Sequence, residues 1–299
     1  MKVAITGAGG FVGNHLTDFF TGRGDEVTGI GHNRPSNIAD DSLFTWIQAD
    51  TTQKGGWQDE IDAADVVINL AGKNIFGRWT EKIKQEIMES RVRTTENVAE
   101  GFSGNRSAVL LSTSAVGYYG DGGDQVLNES AGAGDDFLAR VCINWEREAN
   151  RAADKGVRVA NMRFSMVLEK TGGALKMMLP AFKAFVGGPL STGKQFMAWI
   201  HMTDLIHAHN FVIENNDIMG PVNCCAPNPV RNEDFSRTLG SVLGRPAVFR
   251  VPRFALSTAM GEMGDMVLSS QRVVPEKLLD HGFEFRFPEI RDALENLLA

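Results

Sequence analysis

From residue 2 to residue 164, short unbroken apolar runs alternate with segments whose apolar positions recur at helical spacing. The runs at 2–6, 26–31, 44–50, 64–72, 108–112 and 157–164 predict strands, and the fourth is almost wholly apolar, as suits a strand buried on both faces. Between them, 14–23, 81–100 and 135–155 predict helices, the second with Thr80 as a cap. This β-α alternation predicts an α/β fold: a Rossmann-type doubly wound parallel sheet with ligands at the carboxyl ends of its strands. Beyond residue 168 the pattern loosens. A helix is expected over 177–186, a break at Gly187-Gly188-Pro189, an aromatic strand over 196–201, a helix over 203–214 and a strand over 221–226. Asn232, followed by Glu233 and Asp234, opens a helix over 232–243. The expected division is a dinucleotide-binding domain over 1–168, to which 196–201, 203–214 and 221–226 return. A smaller C-terminal α+β substrate lobe covers 169–299 and ends in a helix after Pro288.

The first strand runs into Gly7-Ala8-Gly9-Gly10-Phe11-Val12-Gly13. Gly7 permits a sharp turn off the strand, Gly10 a close approach of backbone to a pyrophosphate, and Gly13 tight packing of helix on strand. The free N–H groups of the first helical turn, at Phe11 and Val12, face the anion. The second strand ends at His32-Asn33-Arg34, with no acid between Glu26 and Asp40. An acid there would take the ribose 2′-hydroxyl of NAD, whereas His32 and Arg34 suit the 2′-phosphate. The expected coenzyme is NADP(H) in preference to NAD(H).

The Gly-x-x-Gly-x-x-Gly spacing resembles the extended short-chain dehydrogenase/reductases (SDRs). The similarity runs through Asn69-Leu70-Ala71-Gly72 with Arg78-Trp79, Ser90-Arg91, Gly117-Tyr118-Tyr119-Gly120, Trp199-Ile200-His201 and the tail segments Gln271-Arg272-Val273-Val274-Pro275 and Gly282-Phe283-Glu284-Phe285. Nearly the whole chain is similar to an atypical extended-SDR family of NAD(P)-dependent epimerase-like proteins with a small C-terminal domain of unknown function. Some of these are mislabelled cell-division inhibitors. The resemblance implies that Asp50 caps the adenine, that Leu70, Ala71, Gly72, Glu86 and Arg91 line the coenzyme, and that the backbone near Val167 meets the nicotinamide carboxamide. Position 32 is usually Arg in that family; here it is His32, and Arg34 is expected to compensate. Ser112 and Ser114 stand where SDRs place the hydroxyl that bonds a substrate carbonyl.

An ordinary SDR also needs Tyr-x-x-x-Lys, in which the Lys lowers the Tyr pKa and the Tyr moves a proton while nicotinamide moves a hydride. The two tyrosines here, Tyr118 and Tyr119, are followed four residues on by Gly122 and Gly123. The register set by Trp145-Glu146 places Leu138 and Cys142 at the Tyr and Lys positions. Ser114 and Tyr118 remain the catalytic candidates. Lys194, Gln195, Arg231 and Arg272 could line a pocket for an anionic substrate.

A net charge of −7 without a basic run excludes an electrostatic footprint for nucleic acid. No apolar stretch nears the roughly 18 residues of a membrane helix. The chain begins on a strand, so no signal peptide is expected. Cys142, Cys224 and Cys225 read as core residues rather than a disulfide or metal set, which places the protein in the cytoplasm. Two function classes fit: an NADP(H)-dependent oxidoreductase or nucleotide-sugar-epimerase-like enzyme acting on a small molecule with non-standard acid/base groups, or a non-catalytic module that holds NADP(H) for structure or redox sensing.

Overall fold

The computed structural model describes residues 1–34, 43–104 and 107–299. The first half is built from β1 (Lys2–Thr6), α1 (Phe11–Gly22), β2 (Glu26–Gly31), β3 (Phe44–Gln48), α2 (Gln58–Ala63), β4 (Val66–Asn69), α3 (Glu81–Gly101), β5 (Val109–Ala115), β6 (Val126–Leu127), α4 (Phe137–Asn150) and β7 (Arg158–Phe164). Then follow β8 (Met166–Leu168), α5 (Gly173–Lys183), β9 (Phe196–Met197), β10 (Trp199–His201), α6 (Met202–Glu214), β11 (Gly220–Cys224), β12 (Val230–Arg231) and α7 (Asn232–Leu243). The tail carries α8 (Arg253–Met260), α9 (Glu262–Met266), β13 (Arg272–Val273), α10 (Glu276–Asp280) and α11 (Ile290–Leu298).

Seven parallel strands form the sheet, in the order β11-β7-β5-β4-β1-β2-β3. Helices cover both faces. On one, Leu16 and Phe20 of α1 join Leu205, Ala208 and Val212 of α6 over Val3, Ile5, Val66 and Ile68. On the other, Ile61, Val98, Ala99 and Ala149 pack on Ala4, Val67 and Leu110. The alternating core of each apolar strand is thus used twice, which is why the runs lack polar positions. The strand order reverses between β1 and β4, and the crevice at that switch point is where such sheets bind ligands.

The aromatic segment 196–201 does not join this sheet. It splits at Ala198 into β9, antiparallel to β12, and β10, parallel to β8. The edge place beside β7 is taken by β11, so 196–201 is left to tie the sheet to the C-terminal lobe. There α5, α7 and α11 bury Leu175, Phe182, Phe235, Leu239 and Leu294 around Trp199. Helix α5 starts at Gly173, ahead of the expected 177, and tolerates Pro180 in its later part. Asn232 does not cap α7 with its side chain; its Oδ1 accepts from Leu190 N at 2.7 Å, tethering the preceding loop.

Candidate functional site

At the switch point, β1 ends in Gly7 with φ +71°, and a side-chain carbon there would lie 3.0 Å from Ala71 N. Only glycine lets the β1 and β4 loops meet this closely. Gly10 N donates to Gly7 O at 2.8 Å, and a side-chain carbon on Gly13 would fall 2.3 Å from Gly7 O. Helix α1 therefore starts hard against the loop. It opens on Gly10 without a side-chain cap, so the first-turn N–H groups of Phe11, Val12 and Gly13 have no intrahelical acceptor. The Phe11 ring nests on Gly172-Gly173, where a side-chain carbon would come within 2.3 Å and 3.0 Å of it. This glycine pair was not singled out in the sequence, because its partner is far away in the chain.

Two rows of polar side chains cross the buried sheet near its carboxyl edge. In the first, Thr6, Asn69, Ser112 and Asn161 are register partners. Thr6 Oγ1 donates to Asn69 Oδ1 at 2.7 Å, while Asn69 Nδ2 donates to Thr95 Oγ1 at 2.8 Å and to Ser112 Oγ at 3.4 Å. Asn69 is thereby fixed on both sides, and with it the half-buried Leu70 and Ala71. Ser112 is buried in this row and does not face the cleft.

Arg91, on α3, lies across Gly72; a side-chain carbon at Gly72 would be 3.2 Å from its guanidinium carbon. Its NH1 donates to Ile87 O at 3.2 Å and its guanidinium stands 5.1 Å from the Trp145 ring centroid. Among the described residues no carboxylate pairs with it. Burial pulls the guanidinium down to about 10, so it stays charged at neutral pH. Trp145 Nε1 beside it is buried without a partner among the described residues. Two donors with no anion between them, next to a glycine cradle, fit the phosphates and hydroxyls of a dinucleotide.

Glu86 is directed elsewhere: Lys73 Nζ lies 2.8 Å from its Oε2, and this ammonium holds the carboxyl below its ordinary range. After β2, His32 Nε2 is 3.8 Å from Asp50 Oδ1, with both side chains largely exposed. The Asp50 carboxyl is lowered mainly by Thr52, whose Oγ1 donates to Oδ1 at 2.7 Å. Arg34 sits with its guanidinium 5.9 Å from the Phe44 centroid. The acid-free stretch continues from Arg34 to Asp40, and residues 35–42 lie outside those described. Val167, half-buried on β8, pairs with Ile200.

The second polar row is Ser114, Arg163 and Asn223, register partners across β5, β7 and β11. All three are buried, and Glu146 of α4 joins them. Arg163 Nε donates to Glu146 Oε1 at 2.8 Å and NH2 to Oε2 at 2.9 Å. Ser114 Oγ donates to Glu146 Oε1 at 2.7 Å. Arg163 NH1 donates to the Tyr119 hydroxyl at 2.9 Å, which donates to Asn223 Oδ1 at 2.7 Å. Tyr118, half-buried, lies with its ring centroid 3.5 Å from the Arg163 guanidinium carbon. Ser114 has one proton and gives it to a carboxylate, so it meets a ligand as an acceptor rather than as the carbonyl-polarising donor the sequence suggests. Sequence reasoning used Glu146 only as a register mark; an acid on α4 facing an Arg on a buried strand was the available signal.

Beside this row, a side-chain carbon at Gly117 would lie 3.3 Å from Leu138 Cβ. The buried Cys142 Sγ lies 3.6 Å from Ala115 O as a donor, and burial pushes its thiol up to about 11. Trp79 meets Phe137 edge-on at 5.3 Å. Farther out, a cavity of about 750 Å³ is lined by Lys194, Gln195 and Arg231, but also by Asp121, Asp124 and Glu233. Arg231 NH2 is 3.3 Å from Asp124 Oδ1, and Arg231 and Arg272 both stand over Phe196, at 4.3 Å and 5.1 Å. The basic residues come together as predicted, yet acids interleave them. Among the described residues, no cluster of metal-ligating side chains occurs and no helix is long and apolar enough to cross a membrane. The three cysteines are buried and free.

The NAD dependent epimerase/dehydratase family matches residues 3–225, and a domain of unknown function, DUF1731, matches 251–297. The chain is 38% identical to the epimerase family protein SDR39U1 homolog, chloroplastic, of Arabidopsis thaliana, over all of this chain and 87% of the relative. It is 37% identical to epimerase family protein YfhF of Bacillus subtilis, over 100% and 98%. The crystal structure of human epimerase family protein SDR39U1, isoform 2, with NADPH superposes with TM-score 0.87 at 30% identity, covering 99% of each chain. A UDP-glucuronic acid 4-epimerase from Bacillus cereus, in complex with UDP-glucuronic acid and NAD, shares the fold at 16% identity and TM-score 0.80, covering 99% and 98%.

Proposed function

The chain belongs to the NAD-dependent epimerase/dehydratase family, and we propose from that premise that it binds NADP(H) and moves a hydride to or from a small molecule. The observation that carries this reading is Arg91, a cation across Gly72 without a carboxylate partner among the described residues. The coenzyme would lie on Gly7, Gly10 and the first turn of α1, pass Leu70-Ala71-Gly72, and reach Val167 with its carboxamide. Asp50 and Arg34 are assigned to the adenosine end, with Arg34 taking the 2′-phosphate alongside His32. The human relative crystallised with NADPH supports the same choice. Substrate binding is assigned to the lobe from residue 169 onward, and three free thiols support a reducing compartment such as the cytoplasm.

Titration with NADPH and NADH, read by energy transfer from the tryptophans, tests the coenzyme assignment. NADPH is expected to bind more tightly, and Arg34→Ala to weaken NADPH far more than NADH. Equal losses would remove Arg34 from the phosphate site. A second reading, a module that holds the coenzyme without turnover, is favoured by one observation: Leu138 and Cys142 occupy the places of the proton-transfer pair.

A further inference from the structure

The reaction end of the cleft has no side chain arranged to exchange a proton with an alcohol. Leu138, on the first turn of α4, packs over Gly117 where a proton donor would stand. Cys142 directs its thiol to Ala115 O at 3.6 Å, and Ser114 gives its proton to Glu146 at 2.7 Å. The remaining polar groups, Glu146, Arg163, Tyr119 and Asn223, spend their bonds on one another. A sugar ring or a hydroxy acid would find few free partners there. What faces that end is aromatic and alkyl: Tyr118, Leu138, and Phe137 edge-on to Trp79.

Hydride transfer to a simple ketone leaves an alkoxide, which like hydroxide holds its proton up to about pH 16. Such a reaction needs a positioned acid, worth about 10²–10⁴-fold. Hydride transfer to a quinone leaves an aromatic phenolate, whose proton affinity lies near pH 10, roughly a million-fold lower. That anion forms without a positioned donor and takes its proton from water.

Resting on the NADP(H) reading above, we infer that the substrate is a conjugated, flat two-electron acceptor of the para-quinone class, reduced at the apolar face made by Tyr118, Leu138 and Trp79-Phe137. The balance is NADPH plus quinone plus one proton from water, giving NADP⁺ and hydroquinone. Two electrons and a hydride leave the coenzyme, and no bond to the protein forms or breaks.

The test uses the full chain under anaerobic conditions, with 2-methyl-1,4-naphthoquinone and, as a ketone of similar size, 1-tetralone. NADPH oxidation is expected with the quinone at a kcat/KM at least about 100-fold above that for the ketone, following the worth of the missing acid. The rate should be nearly flat from about pH 6 to 9, since no protein acid titrates in that window, and should slow with NADPH deuterated at C4. Independently of turnover, the quinone should quench tryptophan fluorescence of the NADP⁺ complex saturably. Tight NADPH binding with neither quinone turnover nor ternary binding overturns this inference and leaves the coenzyme reading standing. Comparable turnover of the ketone, or a bell-shaped pH profile, overturns it as well. Failure to bind NADPH at all overturns the coenzyme reading itself.

Discussion

The two ends of the cleft differ in what their polar groups have left to give. At the coenzyme end, Arg91 and Trp145 Nε1 are enclosed by protein without an acceptor to match, and the first turn of α1 opens uncapped. At the reaction end, Ser114, Glu146, Arg163, Tyr119 and Asn223 close a circuit in which each polar group answers another. Protein interiors seldom leave donors unpaired, so the first arrangement is shaped for something outside the chain. The second carries an ion pair whose desolvation is costly and whose bonds are all internal, which is how a structural network looks. The contrast separates a place that binds from a place that only holds its shape, although both lie at carboxyl ends of the same strands.

The largest way to sharpen that contrast is to break the circuit. Glu146→Ala leaves the Arg163 guanidinium buried and unpaired, and removing one member of a buried pair costs about 3–5 kcal/mol. Urea unfolding should show that loss, while the surviving folded protein keeps its NADPH affinity. A double replacement, Glu146→Leu with Arg163→Met, should recover most of the stability. If Glu146→Ala were instead to weaken NADPH binding as much as it weakens folding, the two ends would not be separate. At the other end, Gly13→Val places carbon 2.3 Å from Gly7 O and must displace the loop. NADPH affinity is expected to fall at least about 100-fold, or about 2.7 kcal/mol, as read by fluorescence titration. Between the two lies Asn69→Ala, which strands the Thr6 and Thr95 hydroxyls. A cost of about 1–3 kcal/mol is expected in unfolding, with only a few-fold loss of coenzyme affinity.

The coenzyme end was the legible one. Gly7, Gly10, Gly13 and the run ending in Asn69-Leu70-Ala71-Gly72 act through local backbone geometry, which a linear pattern records. The parallel sheet was legible for the same reason, since strands buried twice are apolar throughout. The reaction end was not. Glu146, Arg163, Tyr119 and Asn223 are spread over 77 residues of chain and share a site only because β5, β7 and β11 stand side by side. Nothing local distinguishes Glu146 from a surface acid on α4. The splitting of 196–201 was equally hidden, because its period suits a strand whichever neighbour accepts it, and only the claim of β11 on the sheet edge decides the matter.

Tyr119 gives the smallest and most selective test of the closed circuit. Its hydroxyl accepts from Arg163 and donates to Asn223, and burial, partly offset by Arg163, pushes it up to about 12. Tyr119→Phe should cost about 1 kcal/mol at neutral pH, the net worth of such bonds. Linkage then fixes the pH dependence. The unfolded chain gives up this proton near pH 10 and the folded chain only near 12. The folded protein binds more protons in that window, so the contribution of Tyr119 is complete below about pH 10 and drains away as pH rises toward 12. The stability gap between wild type and Tyr119→Phe should therefore be constant from neutrality to about pH 9 and narrow above 10. A gap that held constant to pH 12 would mean that the phenol ionises alike in both states. Tyr119 would then be solvated in the native protein, and the circuit at the reaction end would be open to ligand after all.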